Sequence, residues 1–178
     1  TGNLVTAPGM VATGCRVGKR LIVGSTPAGA IPPRLNWCTI GPRSGQEGGT
    51  ITTDELRRVL DHGPVTLYRC DIGGMVDGVF PQADGITLIE TWVHACYRMA
   101  SDPNQPNKQP SHPDCVQTWK CRHFLAKDCL FEAFCWSRGD LFDAYRGKRG
   151  VPGQYPQTSA ALVGCGGGVV DDVVFDGC

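Results

Sequence analysis

Residues 87–100, TLIETWVHACYRMA, are the stretch on which the fold turns. Thr87 followed three residues later by Glu90 has the form of a capping box. Leu88, Ile89, Trp92, Val93, Cys96, Met99 and Ala100 recur at three-to-four spacing, which would line one face of a helix. The pattern predicts a helix over Thr87–Ala100, ended by Asp102-Pro103, at the centre of the core.

Working outward, a second helix is expected near Thr53–Asp61, capped by Thr52 with Glu55 and stopped by Gly63-Pro64. A third is expected over Cys115–Leu125, with Asp114 as its cap. Strands are expected at Arg20–Val23, at Val65–Cys70 and, toward the end, at Leu162–Val163 and Val169–Phe175. In the second of these, Val65, Leu67 and Arg69 should face one way and Thr66, Tyr68 and Cys70 the other. No internal repeat is visible. The sum is an α+β fold, a single domain over residues 1–178 with an antiparallel sheet packed against two to three helices. Residues 101–114 read as a Pro-rich extended surface loop, with four prolines and no aliphatic residue over 103–113.

Cysteine dominates the composition: Cys15, Cys38, Cys70, Cys96, Cys115, Cys121, Cys129, Cys135, Cys165 and Cys178. Disulfides and zinc compete to explain them. No C-x-x-C spacing occurs, which favours disulfides and predicts no metal site. A disulfide-rich chain belongs to an oxidising compartment, so the expectation is a secreted, extracellular protein in its mature form. Lys plus Arg equals Asp plus Glu at 17 each. Such a balance argues against general nucleic-acid or anionic-membrane binding. No apolar run is long enough to span a bilayer as a helix.

Chemistry-bearing residues are sparse. His94 can pair with Glu90 on the expected helix, an acid and base for ester or phosphodiester cleavage. His123 is expected to face outward. The segment Arg138, Tyr145, Arg146, Lys148 and Arg149 combines cations with an aromatic ring, the composition of a binding hot spot.

Leu67-Tyr68-Arg69-Cys70-Asp71 resembles the first strand of the cholera- and pertussis-type ADP-ribosyltransferases. By that resemblance Arg69 would contact NAD. The chain departs from that family in lacking its Ser-Thr-Ser strand and its Glu-x-Glu or Gln-x-Glu. As a whole the sequence is similar to the small secreted cysteine-rich effectors and toxins of fungi. That class implies a protein released onto or into a host, or against a competitor, that acts by binding a target; the chain itself is expected to be a monomer without cofactor. The leading expectation is therefore a non-enzymatic binder. The alternative is an enzyme-like toxin, either an ADP-ribosyltransferase using Arg69 and Asp71 or a small hydrolase such as a ribonuclease.

Overall fold

The computed structural model describes residues 3–18, 20–41, 58–61, 64–73, 77–81, 84–94, 96–97, 114–118, 121–132, 135–136, 159–163 and 170–178. Every described element is a strand, and every strand pairing is parallel. The chain winds as a parallel β-solenoid, in which each coil contributes one short strand to each of three sheets.

The first coil holds β1 (Leu4–Thr6), β2 (Val11–Thr13) and β3 (Arg16–Val17). The second holds β4 (Leu21–Val23), β5 (Arg34–Asn36) and β6 (Thr39–Ile40). The third holds β7 (Arg58–Asp61), β8 (Val65–Tyr68) and β9 (Asp71–Gly73). The fourth holds β10 (Asp77–Phe80), β11 (Ile86–Ile89) and β12 (Trp92–His94), followed by β13 (Cys96–Tyr97). The fifth holds β14 (Asp114–Thr118), β15 (Cys121–Lys127) and β16 (Leu130–Phe131), followed by β17 (Cys135–Trp136). β18 (Ser159–Val163) and β19 (Val170–Asp176) stack on the fifth coil. The sheets run β1-β4-β7-β10-β14-β18, β2-β5-β8-β11-β15-β19 and β3-β6-β9-β12-β16, with β13 and β17 paired beside them.

Stacking like on like builds the core. Ala12, Leu35, Leu67, Leu88 and Ala126 form one register column in the second sheet, and all are buried. Val65, Ile86 and Phe124 form its neighbour. Val17, Ile40, Ile72 and Val93 face them from the third sheet. Each fully buried aliphatic side chain contributes about 1.5–3 kcal/mol relative to exposure. Gly78 shows how close the walls come. A Cβ there would lie 2.4 Å from Val93 Cγ1 and 2.7 Å from the Cys115 carbonyl oxygen.

The expected antiparallel sheet with helices is therefore overturned. Thr87–Ala100 is three strands, not a helix, as far as it is described: Ile86–Ile89, Trp92–His94 and Cys96–Tyr97. Its apolar spacing combines two separate alternations, with Ile86 and Leu88 buried on one strand and Val93 on the next. A sharp corner at Glu90-Thr91 joins them. Glu90 occupies that corner and caps no helix. Cys115–Leu125 is likewise strand on both sides, and Asp114 lies inside β14. Arg58–Asp61, the described part of the remaining expected helix, is strand, and the rest of it lies outside the described residues. The strand expected at Val65–Cys70 exists, but it ends at Tyr68. Its alternation resets at the next corner, so Cys70 is buried alongside Leu67. Among the described residues no helix is long and apolar enough to cross a membrane.

Candidate functional site

The corner between the second and third sheets repeats in every coil where both flanking positions are described. Gly14, Trp37, Arg69, Glu90, Asp128 and Gly177 occupy it, and all have left-handed backbone, with φ from 47° at Glu90 to 66° at Gly177. Each of the first five donates its N–H to the carbonyl just before the corner of the next coil. Trp37 N–H reaches Tyr68 O, Arg69 N–H reaches Ile89 O and Glu90 N–H reaches Lys127 O, each at 2.9 Å. Left-handed backbone suits glycine, which fills the first and last corners. For other L-residues it costs about 1–2 kcal/mol. The chain nevertheless places Trp, Arg, Glu and Asp at the four corners between.

Those side chains form a ridge along the solenoid. Arg69 lies over the Trp37 ring at 4.8 Å and over the Tyr68 ring at 5.0 Å. Its Nε donates to Glu90 Oε2 on the neighbouring coil, and that carboxylate raises the guanidinium pKa further above its ordinary value. Arg34 also lies over the Tyr68 ring, 5.5 Å from its centroid, and donates from Nε to Asn36 Oδ1 at 2.7 Å. Trp37 and Tyr68 meet edge to face at 6.3 Å. The ridge is open to solvent: Trp37 is 56% exposed, and the Arg69 and Glu90 side chains are 40% and 39% exposed.

Immediately around the corner, on the third sheet, Asp71 Oδ1 lies 2.6 Å from His94 Nε2. Trp92, itself partly exposed, stacks on the imidazole at 3.6 Å, with the planes 14° apart. Asp71 and Trp92 are register partners. When His94 donates from Nε2 to this carboxylate, its Nδ1 carries the lone pair and can accept a proton.

The residues that sequence reasoning singled out thus come together with exchanged partners. Glu90 pairs with Arg69, whereas the helical reading gave it His94. His94 pairs with Asp71, one coil below. The Arg69-x-Asp71 of the ADP-ribosyltransferase resemblance straddles a corner, and its two side chains turn to different partners. Trp37, Tyr68 and Trp92 were not singled out as site residues, because nothing local distinguishes an exposed ring from a core ring. Arg138, Tyr145, Arg146, Lys148 and Arg149, the binding segment read from the sequence, lie outside the described residues.

His123 is exposed as expected, but on β15. Its Nδ1 lies 2.8 Å from Asp172 Oδ2. That hydrogen bond raises its pKa, with further help from Asp172, Asp84 and Asp171 as neighbouring charges. Two buried acids also escaped the sequence reading as site groups. Asp77 and Asp114 each stand two residues before the Val79–Val116 register pair of neighbouring strands. Arg58 is the register partner of Asp77, and Ser159 that of Asp114.

One residue past each corner lies a second column: Cys15, Cys38, Cys70, Thr91, Cys129 and Cys178, buried at its four middle positions and exposed at Cys15 and Cys178. Each γ-atom donates to the carbonyl two residues back. The distances are 3.2 Å from Cys38 to Asn36, 3.0 Å from Thr91 to Ile89 and 3.3 Å from Cys129 to Lys127. Several reach across to the neighbouring coil as well, as Cys70 does to Leu35 O and Thr91 to Leu67 O. Burial pushes the thiols of Cys70 and Cys129 up to about 11 and raises that of Cys38. Seven cysteines, these five with Cys115 and Cys121, are free thiols. Cys96 and Cys135 are register partners of β13 and β17, and Cys165 lies outside the described residues. Half of the cysteine count thus has a packing reason, the closing of corners, which the intervals between cysteines do not reveal.

No protein family, curated protein or solved structure matches the chain.

Proposed function

We propose that the protein is a non-enzymatic binding module that docks a protein target along the ridge of Arg34, Trp37, Tyr68, Arg69, Glu90 and Trp92. One observation carries the reading. Three successive coils place Trp37, Arg69 and Glu90 in left-handed backbone, where the terminal coils use glycine. Side chains held at such cost serve something other than the backbone. Tryptophan, tyrosine and arginine are also the residues enriched at binding hot spots. Their mutual contacts hold them in place before a partner arrives, which lowers the entropy lost on docking.

The test separates presentation from support. In Trp37→Gly and Arg69→Gly, relief of the strain offsets the loss of a cation–π contact of about 0.5–1 kcal/mol and the extra freedom of the unfolded glycine chain. Each variant should keep its stability within about 1 kcal/mol in chemical denaturation. A random peptide library displayed on phage, selected on the wild-type chain, should yield sequences that lose at least tenfold in affinity for the double variant. A loss of stability beyond about 3 kcal/mol in either single variant would make these side chains structural. Peptides that bind the double variant equally well would move the docking surface elsewhere. Turnover of NAD or RNA by the pure protein, abolished by Arg69→Ala or His94→Ala, would replace binding with catalysis.

A further inference from the structure

Each run of the cysteine column ends in solvent. Cys15 and Cys178 are exposed, while Cys38, Cys70 and Cys129 are buried. The strand register sets Cys15 beside Cys38, Cys38 beside Cys70, and Cys129 beside Cys178, each pair on neighbouring coils. Thr91 stands between Cys70 and Cys129 and splits the column into a run of three thiols and a run of two. Backbone hydrogen bonds hold the coils in step at both ends: Thr39 N–H to Cys15 O at 3.0 Å, and Asp128 N–H to Asp176 O at 2.8 Å. Neighbouring parallel strands lie about 4.8 Å apart, inside the Cα separation that a disulfide spans.

We propose that the two ends of this column are thiol-oxidation sites, giving one disulfide between Cys15 and Cys38 and another between Cys129 and Cys178, with Cys70 left as a thiol. The oxidant is a low-molecular-weight disulfide of the glutathione type. The exposed thiol of Cys15 or Cys178 loses its proton and attacks one sulfur of that disulfide. A mixed disulfide forms and one small thiol leaves. The buried neighbour, Cys38 or Cys129, then attacks the protein sulfur of the mixed disulfide and displaces the second small thiol. Two protein thiols are oxidised, one small disulfide is reduced to two thiols, and both protons are accounted for. Attack starts at the exposed end because the buried thiols are out of reach of the reagent and resist ionisation. Cys70 has only Cys38 beside it, and once Cys38 is bridged it has no thiol partner in the column.

The consequence is mechanical. One bridge ties the first coil to the second and the other ties β19 to β15, so each adds a covalent link between coils joined there by backbone hydrogen bonds and packing.

The full reduced chain is incubated with oxidised glutathione, quenched in acid, alkylated after unfolding, digested and read by mass spectrometry. The expected products are a Cys15–Cys38 peptide pair, a Cys129–Cys178 peptide pair and alkylated Cys70. The unfolding midpoint should rise by roughly 10 °C and return on reduction. Cys15→Ser should abolish the first bridge and keep the second, and Cys178→Ser the reverse, each serving as the other's folding control. A Cys38–Cys70 bridge would overturn the proposal. So would glutathione adducts as end products, linkage of Cys15 or Cys178 to any other cysteine, or persistence of all five thiols.

Discussion

Thr91 explains the cysteines of the column better than any cysteine does. Its hydroxyl donates to Ile89 O and Leu67 O and accepts the Cys70 N–H at 3.3 Å. A hydroxyl thus closes a corner in the place where a thiol closes the others. Thr91→Cys should therefore change stability by less than about 1 kcal/mol. Thr91→Val keeps the shape but removes donor and acceptor, and should cost about 1–3 kcal/mol in denaturant titration. Equal stability of the two variants would show that the column packs by size alone. The chemistry-bearing residues were legible at this scale. Arg69, Asp71, Glu90 and His94 stand out in the sequence, and all four belong to the exposed corner or its flank. Their partners were not legible, because Arg69 and Glu90 are 21 residues apart, and His94 and Asp71 are 23 residues apart.

The described strands are two to seven residues long, and every described pairing is parallel, so corners and loops join them instead of hairpins. Such elements are hard to read. Period-two alternation survives for three or four residues and then resets at a left-handed corner, as it does between Tyr68 and Cys70. Two such fragments in series, Ile86–Ile89 and Trp92–His94, imitate helical spacing, and Thr87 with Glu90 imitates a cap. β15 and β19 carry a second irregularity. His123 and Asp172 both have left-handed backbone, at 57° and 51°, next to Gly85 at 84° in the preceding coil. The His123–Asp172 bond joins the two kinks. Because the folded pKa of His123 lies above its ordinary value of 6.5, this bond contributes fully below that value and fades as pH rises through the folded pKa. Asp172→Asn should bring the His123 ring titration, followed by NMR, back toward the ordinary value. An unchanged titration would assign the shift to Asp84 and Asp171.

In the whole molecule the coils repeat but the loops do not. The buried column advances 21 residues from Cys70 to Thr91 and 49 from Cys129 to Cys178, so no fixed period reaches the sequence. The stack behaves as a one-dimensional array in which a middle coil supports both neighbours. Leu67, fully buried between Leu35 and Leu88, is the sharpest probe. Leu67→Ala should cost about 2–5 kcal/mol in denaturant titration. A loss below about 1 kcal/mol would mean that the column is loosely packed. By itself the sequence determined the charge balance, strands close to those expected at Val65–Cys70 and Val169–Phe175, which run over Val65–Tyr68 and Val170–Asp176, and the residue types able to do chemistry, because these depend on composition or on a few neighbouring residues. Only the tertiary structure decided that strands run parallel, that corners stack into a ridge and that thiols align in a column. Each of these depends on which coil lies beside which, and loops of unequal length hide that from any local pattern.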